Sequence, residues 1–332
     1  MSETAENATT GGYLLSFSFL NGIWRPGLAA AATWLVAAAL TATLPDVTRW
    51  GSRELFVQLL EAGAAVFVTL AFINRWLGRI GESVDHYGPW LVALGVILAV
   101  WELLTAKLGW LPKPFFAPPQ GLIHAYVEDW ERIGYCILSS IQLWVVGFAV
   151  GVFLGFLLGV ALGWSPRFHY WGMPVLKLIG PIPATAWLPI AFFAFPTTFG
   201  GSAFLIALAS GIPVAILTSS GVTQVNRVYY DVARTMGAST WFLISRVAVP
   251  ASLPNVFVGL FMGLYYSFAV LVVAEMLGAK YGLGWYLQWS TGYSAYANMY
   301  ADLVVMAILC GGIVKLVFIV RDRLLSWQTG II

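Results

Sequence analysis

Between Arg132 and Arg167 the chain carries no charged residue, and most of that stretch is aliphatic or glycine. No soluble core needs a helix of that length and uniformity, whereas a membrane crossing needs about 20 mostly apolar residues. The pattern recurs. Candidate spans fall at roughly 26–44, 55–73, 90–106, 134–163, 174–196, 201–220, 255–276 and 301–320, about eight in all. Composition agrees: of 332 residues 60% are hydrophobic and 10% charged, where a soluble domain is nearer one quarter charged. The expectation is an all-α integral membrane protein. The span at 134–163 is long enough to tilt or to project from the bilayer. The span at 174–196 is interrupted by Pro181, Pro183 and Pro189. Prolines at that depth are tolerated where neighbouring helices or a cavity satisfy the freed carbonyls.

Lys and Arg in short loops set orientation. With the N-terminus inside, the inner segments hold Arg25, Arg75, Arg79, Arg167, Arg227, Arg234, Arg246, Arg321 and Arg323, and the outer ones Arg49, Arg53, Lys107, Lys113, Arg132 and Lys280. The bias is modest and rests on the last six spans. The opening "MSETAENATTGGY" lacks the basic region and cleavage site of a signal peptide and reads as a disordered cytoplasmic tail. The polar connector "NRWLGRIGESVDHYGP" (74–89) separates the first two spans from the rest. Residues 1–89 are therefore expected to form an appended tail and two-helix unit, and 90–332 a six-span core.

The span at 134–163 contains a ladder, with Gly147, Gly151, Gly155, Gly159 and Gly163 four residues apart. That spacing keeps them on one helix face, where glycine lets a second backbone approach closely. Gly259 and Gly263 repeat the device once. The plain reading is packing; a surface that slides during rearrangement is compatible with it. Ionisable groups within spans point to function by default. Glu275 lies near the outer end of span seven, where structural pairing and path lining are both open. Glu102 and Lys315 lie near span ends, from which water is within reach, and Glu61 is nearer a middle. For Glu61 and Lys315 snorkelling or pairing with a neighbouring helix is the plainer reading.

Several chemistries are excluded. There is no G-x-x-x-x-G-K-[ST] to cradle ATP phosphates and no H-E-x-x-H. His86, His124 and His169 are scattered over three connectors. Cys136 and Cys310 sit in apolar runs without metal-like or redox-like spacing and read as small hydrophobes. A formal net charge of +2 gives no footprint for nucleic acid. A polytopic membrane enzyme would need acids, histidines or metal ligands clustered at one interface. A secondary transporter would be expected to show coupling groups in mid-span and an internal repeat. Neither signature is found.

One segment does not fit a simple wall: "DVARTMGASTWFLISRVAVP", residues 231–250. Tyr229 to Met236 is helix-compatible, Gly237 suits a left-handed C-cap, and Ser239 suits the N-cap of a second helix. Pro250 and Pro254 are expected to end that helix and lead into span seven. Arg227, Arg234 and Arg246 place the segment on the cytoplasmic side. Such a helix–Gly–helix elbow either docks into a partner or lies on lipid.

The segment resembles the cytoplasmic loop of binding-protein-dependent ABC importer permeases, whose pattern is Glu-Ala-Ala, three residues, Gly, nine residues, then Ile-x-Leu-Pro. The matching positions are Asp231, Val232, Ala233, Gly237, Val247, Val249 and Pro250, with Ala238 beside the glycine. Asp replaces Glu and Val replaces the first Ala; the Gly-to-Pro spacing is kept. "FFAPPQGL", "GPIPATAWLPIAFFAF" and "VVAEMLGAKYGLGWYL" resemble the nitrate/sulfonate/taurine/bicarbonate branch, over about residues 90–325. Leu143 stands where that branch often has Arg.

The resemblance implies a type I permease core with a coupling loop at 221–254. It implies a subunit without ATPase chemistry or cofactor of its own, ATP and magnesium being held by partner ATPase subunits. It further implies a second permease subunit, expected to be an identical copy, a periplasmic or lipid-anchored binding protein, and a multi-pass location in the bacterial inner membrane with both termini cytoplasmic. The solute is expected to be a small anion such as a sulfonate, nitrate or bicarbonate. Candidate path residues are Pro183, Thr185 and Trp187 in span five, and Tyr265, Tyr266, Ser267 and Glu275 around span seven.

Overall fold

The computed structural model describes residues 24–73 and 79–325. Every regular element among them is helical, and the chain divides into two compact units, residues 1–124 and 125–332. The expected N-terminal tail lies outside the described residues.

The first unit is built on α1 (Arg25–Thr43), α2 (Arg53–Ile73) and α3 (Arg79–Glu102), the last continuing into a π turn at Leu103–Lys107. α1 packs against both α2 and α3. Ala37, Ala38, Phe56 and Leu60 form its core, with Trp34, Leu98 and Ala99 around them. The sequence placed a polar connector over 74–89. The structure instead has α3 helical from Arg79, with Pro89 inside it. The polar residues of this stretch extend the helix beyond its apolar length.

The end of α1 explains several charges. Its last carbonyls have no intrahelical partners and need donors. Arg53 donates through Nε to Thr41 O at 2.9 Å and through a terminal nitrogen to Ala42 O and Leu44 O at 2.8 and 3.0 Å. Lys107 Nζ donates to Thr41 O and Leu44 O, both at 2.9 Å, and pairs with Asp46. Lys107 and Glu102 are buried, so Glu102 does not reach water as its position near a span end suggested. Glu61 and Gln58 sit on the exposed face of α2.

α4 (Pro119–Glu128) leads into the second unit, which continues with α5 (Trp130–Trp164), α6 (Pro166–Ile179), a 3-10 turn at Ala184–Trp187 running into α7 (Leu188–Ala194), and α8 (Thr198–Thr223). The expected span at 174–196 is not one straight helix: its two limbs, Pro166–Ile179 and Ala184–Ala194, meet at 91°. Pro181 and Pro183 stand at that break, where each removes a backbone donor. Counting the bent pair as one crossing gives eight spans; without it seven described helices are long and apolar enough.

α5 and α8 run parallel along the glycine ladder. A Cβ on Gly147 would lie 2.9 Å from Ala203 O, on Gly159 2.7 Å from Ala215 O, and on Gly163 2.9 Å from Ser219 O. Gly151 and Gly155 meet Ala207 and Gly211 in the same register. Each step of four on one helix is matched by four on the other, so the backbones touch at five successive glycines. Only glycine permits this. Because α5 and α8 are parallel neighbours, residues 165–197 must carry the chain back along their length.

α9 (Arg227–Thr235) and α10 (Thr240–Phe242) follow, then a π turn at Leu243–Ala248, α11 (Val249–Gly278), α12 (Leu283–Gly292) and α13 (Tyr296–Leu324). α11 packs antiparallel on α8, with Gly259 against Pro213 and Val214 and Gly263 against Ser210. Trp144 of α5 stacks on Phe268 of α11 at 5.1 Å and donates from Nε1 to Ser267 Oγ at 2.9 Å. The core here is Leu205, Ile206, Leu264, Leu271 and their neighbours.

Candidate functional site

The elbow begins where α8 stops. Asn226 caps α9 by accepting from Val228 N–H at 3.0 Å. Tyr230 meets Trp164 edge-on at 5.6 Å, tying α9 to the end of α5, and burial raises the Tyr230 phenol above its ordinary pKa. α9 ends in a Schellman turn: Ala238 N–H donates to Ala233 O at 3.0 Å and Gly237 N–H to Arg234 O at 2.9 Å. Gly237 has φ +81°, a region in which an L side chain is strained. Ser239 Oγ accepts from Phe242 N–H at 3.3 Å and starts the next helix.

That next helix does not end at Pro250 or Pro254, as the sequence suggested. It is continuous from Thr240 to Gly278. Pro250 lacks the N–H that would bond four residues back. The π turn just before it changes the register, so that Val249 N–H bonds Ile244 O. The second limb of the elbow and the span are consequently one helix of 39 residues, Thr240–Gly278, with α9 joined to it through the Gly237 turn.

Of the motif positions, Asp231, Val232 and Gly237 are exposed, and Ala233, Ala238, Val247, Val249 and Pro250 are partly buried. Asp231 and Arg234 pair at 4.0 Å with both side chains exposed, a contact that contributes little. The elbow also presents Tyr229, Met236, Trp241 and Phe242, with Met236 83% and Trp241 75% exposed. The sequence reading passed over these four. Their signal was large apolar side chains inside an Arg-bearing connector that has no core of its own.

The path candidates divide into two groups. Pro183, Tyr265 and Tyr266 are exposed, and Thr185 and Trp187 are partly buried. The Ala184–Trp187 turn packs on α11, so these parts of spans five and seven are brought together. Ser267 and Glu275 are fully buried. Ser267 holds Trp144. Glu275 Oε2 accepts Gly284 N–H at 2.8 Å at the start of α12, and Gly282 abuts its carboxylate. Ser140 Oγ takes the adjacent Leu283 N–H at 2.8 Å. The carboxylate thus satisfies the open end of a helix, where negative charge is favoured.

Residues 151–328 match the family of binding-protein-dependent transport system inner membrane components. The chain belongs to that family. It is 30% identical to the nitrate import permease protein NrtB of Synechococcus elongatus over 249 residues, which cover 72% of this chain and 87% of that one. It is 28% identical to the corresponding NrtB of a Synechocystis strain, covering 73% and 87%, and 29% identical to the taurine transport system permease protein TauC of Escherichia coli, covering 65% and 81%. The chain is a multi-pass membrane protein and the permease subunit of an importer, a transport component and not an enzyme. The elbow lies inside the family match, whereas α1, α2 and α3 precede it.

Proposed function

We propose that this permease forms the path of an ATP-driven importer for a small oxyanion such as nitrate, a sulfonate or bicarbonate. The observation that carries the reading is the elbow: a rigid, capped turn presenting exposed Met236 and Trp241, continuous with a membrane-crossing helix. An exposed apolar patch of this kind marks a binding surface. In this reading each of two cytoplasmic ATPase subunits grips one elbow within the coupling loop 221–254, and ATP and magnesium reside on those subunits. A second, identical permease completes the path, and a periplasmic or lipid-anchored binding protein delivers the solute. The chain lies in the bacterial inner membrane with both termini cytoplasmic.

The geometry supplies a lever. Closure of the ATPase pair displaces the elbow, and the unbroken helix from Thr240 carries the displacement to Tyr265 and Tyr266 and to the Ala184–Trp187 turn that packs on α11. Two states exchange by rigid-body motion, and ATP shifts their balance because the ATPases hold the elbows differently in each. The path is assigned to Pro183, Thr185, Trp187, Tyr265 and Tyr266, with Ser267 and Glu275 holding the wall behind them. The core is taken as 90–332, with 1–89 as an appended unit outside the path. Single cysteines at Thr185, Tyr265 and Tyr266, probed with a water-soluble thiol reagent in the assembled complex, should change reactivity when ATP is added. Equal reactivity in both conditions at all three positions would place the path elsewhere.

A further inference from the structure

Lys177 lies on α6, within the stretch that returns the chain along the length of α5 and α8. Its neighbour Leu176 packs with Leu162, Ala215, Ile212 and Ile216. Those α8 residues precede the helix end at Thr223 by seven to eleven positions, which at 1.5 Å per residue is about 10–16 Å. With the end of α8, beside the Arg-bearing elbow, taken as the membrane surface, and a bilayer core about 30 Å thick, Lys177 falls inside the apolar zone and away from its edge. The side chain is nonetheless exposed, and among the described residues it forms no hydrogen bond or ion pair.

A bare ammonium at that depth does not face lipid; such groups face a water-filled cavity or a partner. Lys177 lines a groove of about 630 Å³ together with His169, Tyr170 and Trp171. Among the described residues the Tyr170 hydroxyl and the Trp171 indole nitrogen also have no hydrogen-bond partner. His169 Nδ1 lies 3.2 Å from Leu162 O, to which it donates in the matching tautomer, leaving Nε2 over. The groove therefore holds unpaired donors and no acid. The charge balance of the surrounding chain points the same way. No Asp or Glu occurs between Glu131 and Asp231, a stretch holding Arg132, Arg167, Lys177 and Arg227, and the one acid of α11, Glu275, is fully buried.

We infer that Lys177 is the charge-selecting residue of the path, meeting the transported oxyanion where α6 breaks. This rests on the importer reading above and adds to it the residue that sets the sign of the solute. Lys offers a compact point charge with three donors. In a low-dielectric wall that charge attracts an anion far more strongly than it would in water, and the lack of acids leaves nothing to compete. The Leu143 position, where related permeases often place Arg, then need not carry this role. A phospholipid phosphate offers the same oxyanion chemistry from a different source.

The test uses the full chain assembled with its ATPase and binding protein in vesicles, with Cys136 and Cys310 replaced by Ala and Lys177→Cys introduced. ATP-driven uptake of nitrate, taurine and methanesulfonate is measured before and after treatment with a cationic, an anionic or a neutral methanethiosulfonate reagent. Lys177→Cys should lower uptake at least tenfold while ATP hydrolysis persists. The cationic adduct should restore most of it, the neutral and anionic adducts should not, and Lys177→Arg should transport like the parent. Equal effects of all three adducts, undiminished uptake in Lys177→Cys, or a thiol that no water-soluble reagent reaches would each overturn the inference. So would restoration seen only in phosphatidylglycerol vesicles and not in phosphatidylcholine, which would assign Lys177 to a lipid phosphate. A parent complex that imports none of the three solutes would instead refute the anion-importer reading, a result distinct from any variant effect.

Discussion

Gly155→Ala is a one-carbon test of the helix seam. The added Cβ would stand 2.9 Å from Gly211 Cα and 3.0 Å from its carbonyl carbon, closer still to the carbonyl oxygen. These are backbone atoms of a helix and cannot rotate away. Optimal carbon–carbon separation is about 3.5–4.0 Å, so α5 and α8 must part by roughly 1 Å. A gap of that size forfeits a quarter to a half of each dispersion contact it opens, and the seam continues one turn above and below. The expected cost is about 1–3 kcal/mol, the usual range for overpacking. Gly134→Ala on the same helix is the control, since nothing lies within 4 Å of its Cβ. There the better helix propensity of Ala should leave stability unchanged or raise it by up to about 1 kcal/mol. Thermal unfolding of the purified chain in detergent reads both, and the seam variant should melt several degrees lower. If the two variants shift Tm alike, the seam is not where the backbones are in contact.

Three other outcomes follow from the same structure. Lys107→Met removes the cation paired with Asp46, leaving it only the Gln120 amide among the described residues, and takes one of the two donors from each of Thr41 O and Leu44 O, which keep Arg53; it should cost about 3–5 kcal/mol, as breaking a buried pair does; denaturant titration of the chain reads it, and a loss below about 1 kcal/mol would mean water replaces the ammonium. The Tyr286 phenol donates to Asp129 at 2.9 Å, and burial first, then the Asp129 carboxylate, raise its pKa. The raised folded value means its contribution is complete below the unfolded pKa of about 10 and is lost as pH rises beyond it, because the unfolded phenol then ionises first; Tyr286→Phe should flatten that alkaline fall in Tm, and an unchanged pH profile would count against it. Gly237→Trp meets no atom within 4 Å but forces an L side chain into the left-handed turn at φ +81°, so the chain should still insert while the strained elbow loses ATPase co-purification; retained co-purification would separate the elbow from the ATPase.

Much of the fold was legible because membrane spans are written in length and hydrophobicity, which local sequence carries. The elbow was legible because a left-handed glycine and a serine cap leave position-specific marks, and Gly237 and Ser239 occupy those positions. What failed to show depends on groups far apart in sequence. Arg53 and Lys107 count as loop cations in a charge tally, yet they cap α1, so they weaken the orientation signal without belonging to it. Pro250 reads as a helix stop, but a preceding π turn absorbs it. Glu102 looked free to reach water because its burial depends on segments distant in sequence, Gln120 among them, that fold over it. Lys177 was overlooked because its meaning rests on depth, and depth follows from the parallel register of α5 and α8.

The most direct test of the central claim, that ATP acts through the elbow to move solute, is import into vesicles containing the complete complex. Paired variants in the exposed patch, Met236→Glu with Trp241→Glu, leave every described core contact in place. Accumulation of nitrate or taurine against its gradient should require hydrolysable ATP in the unaltered complex and should vanish in the double variant while the permease still inserts. Uptake driven by an ion gradient without ATP, or unaffected by the double substitution, would contradict the account.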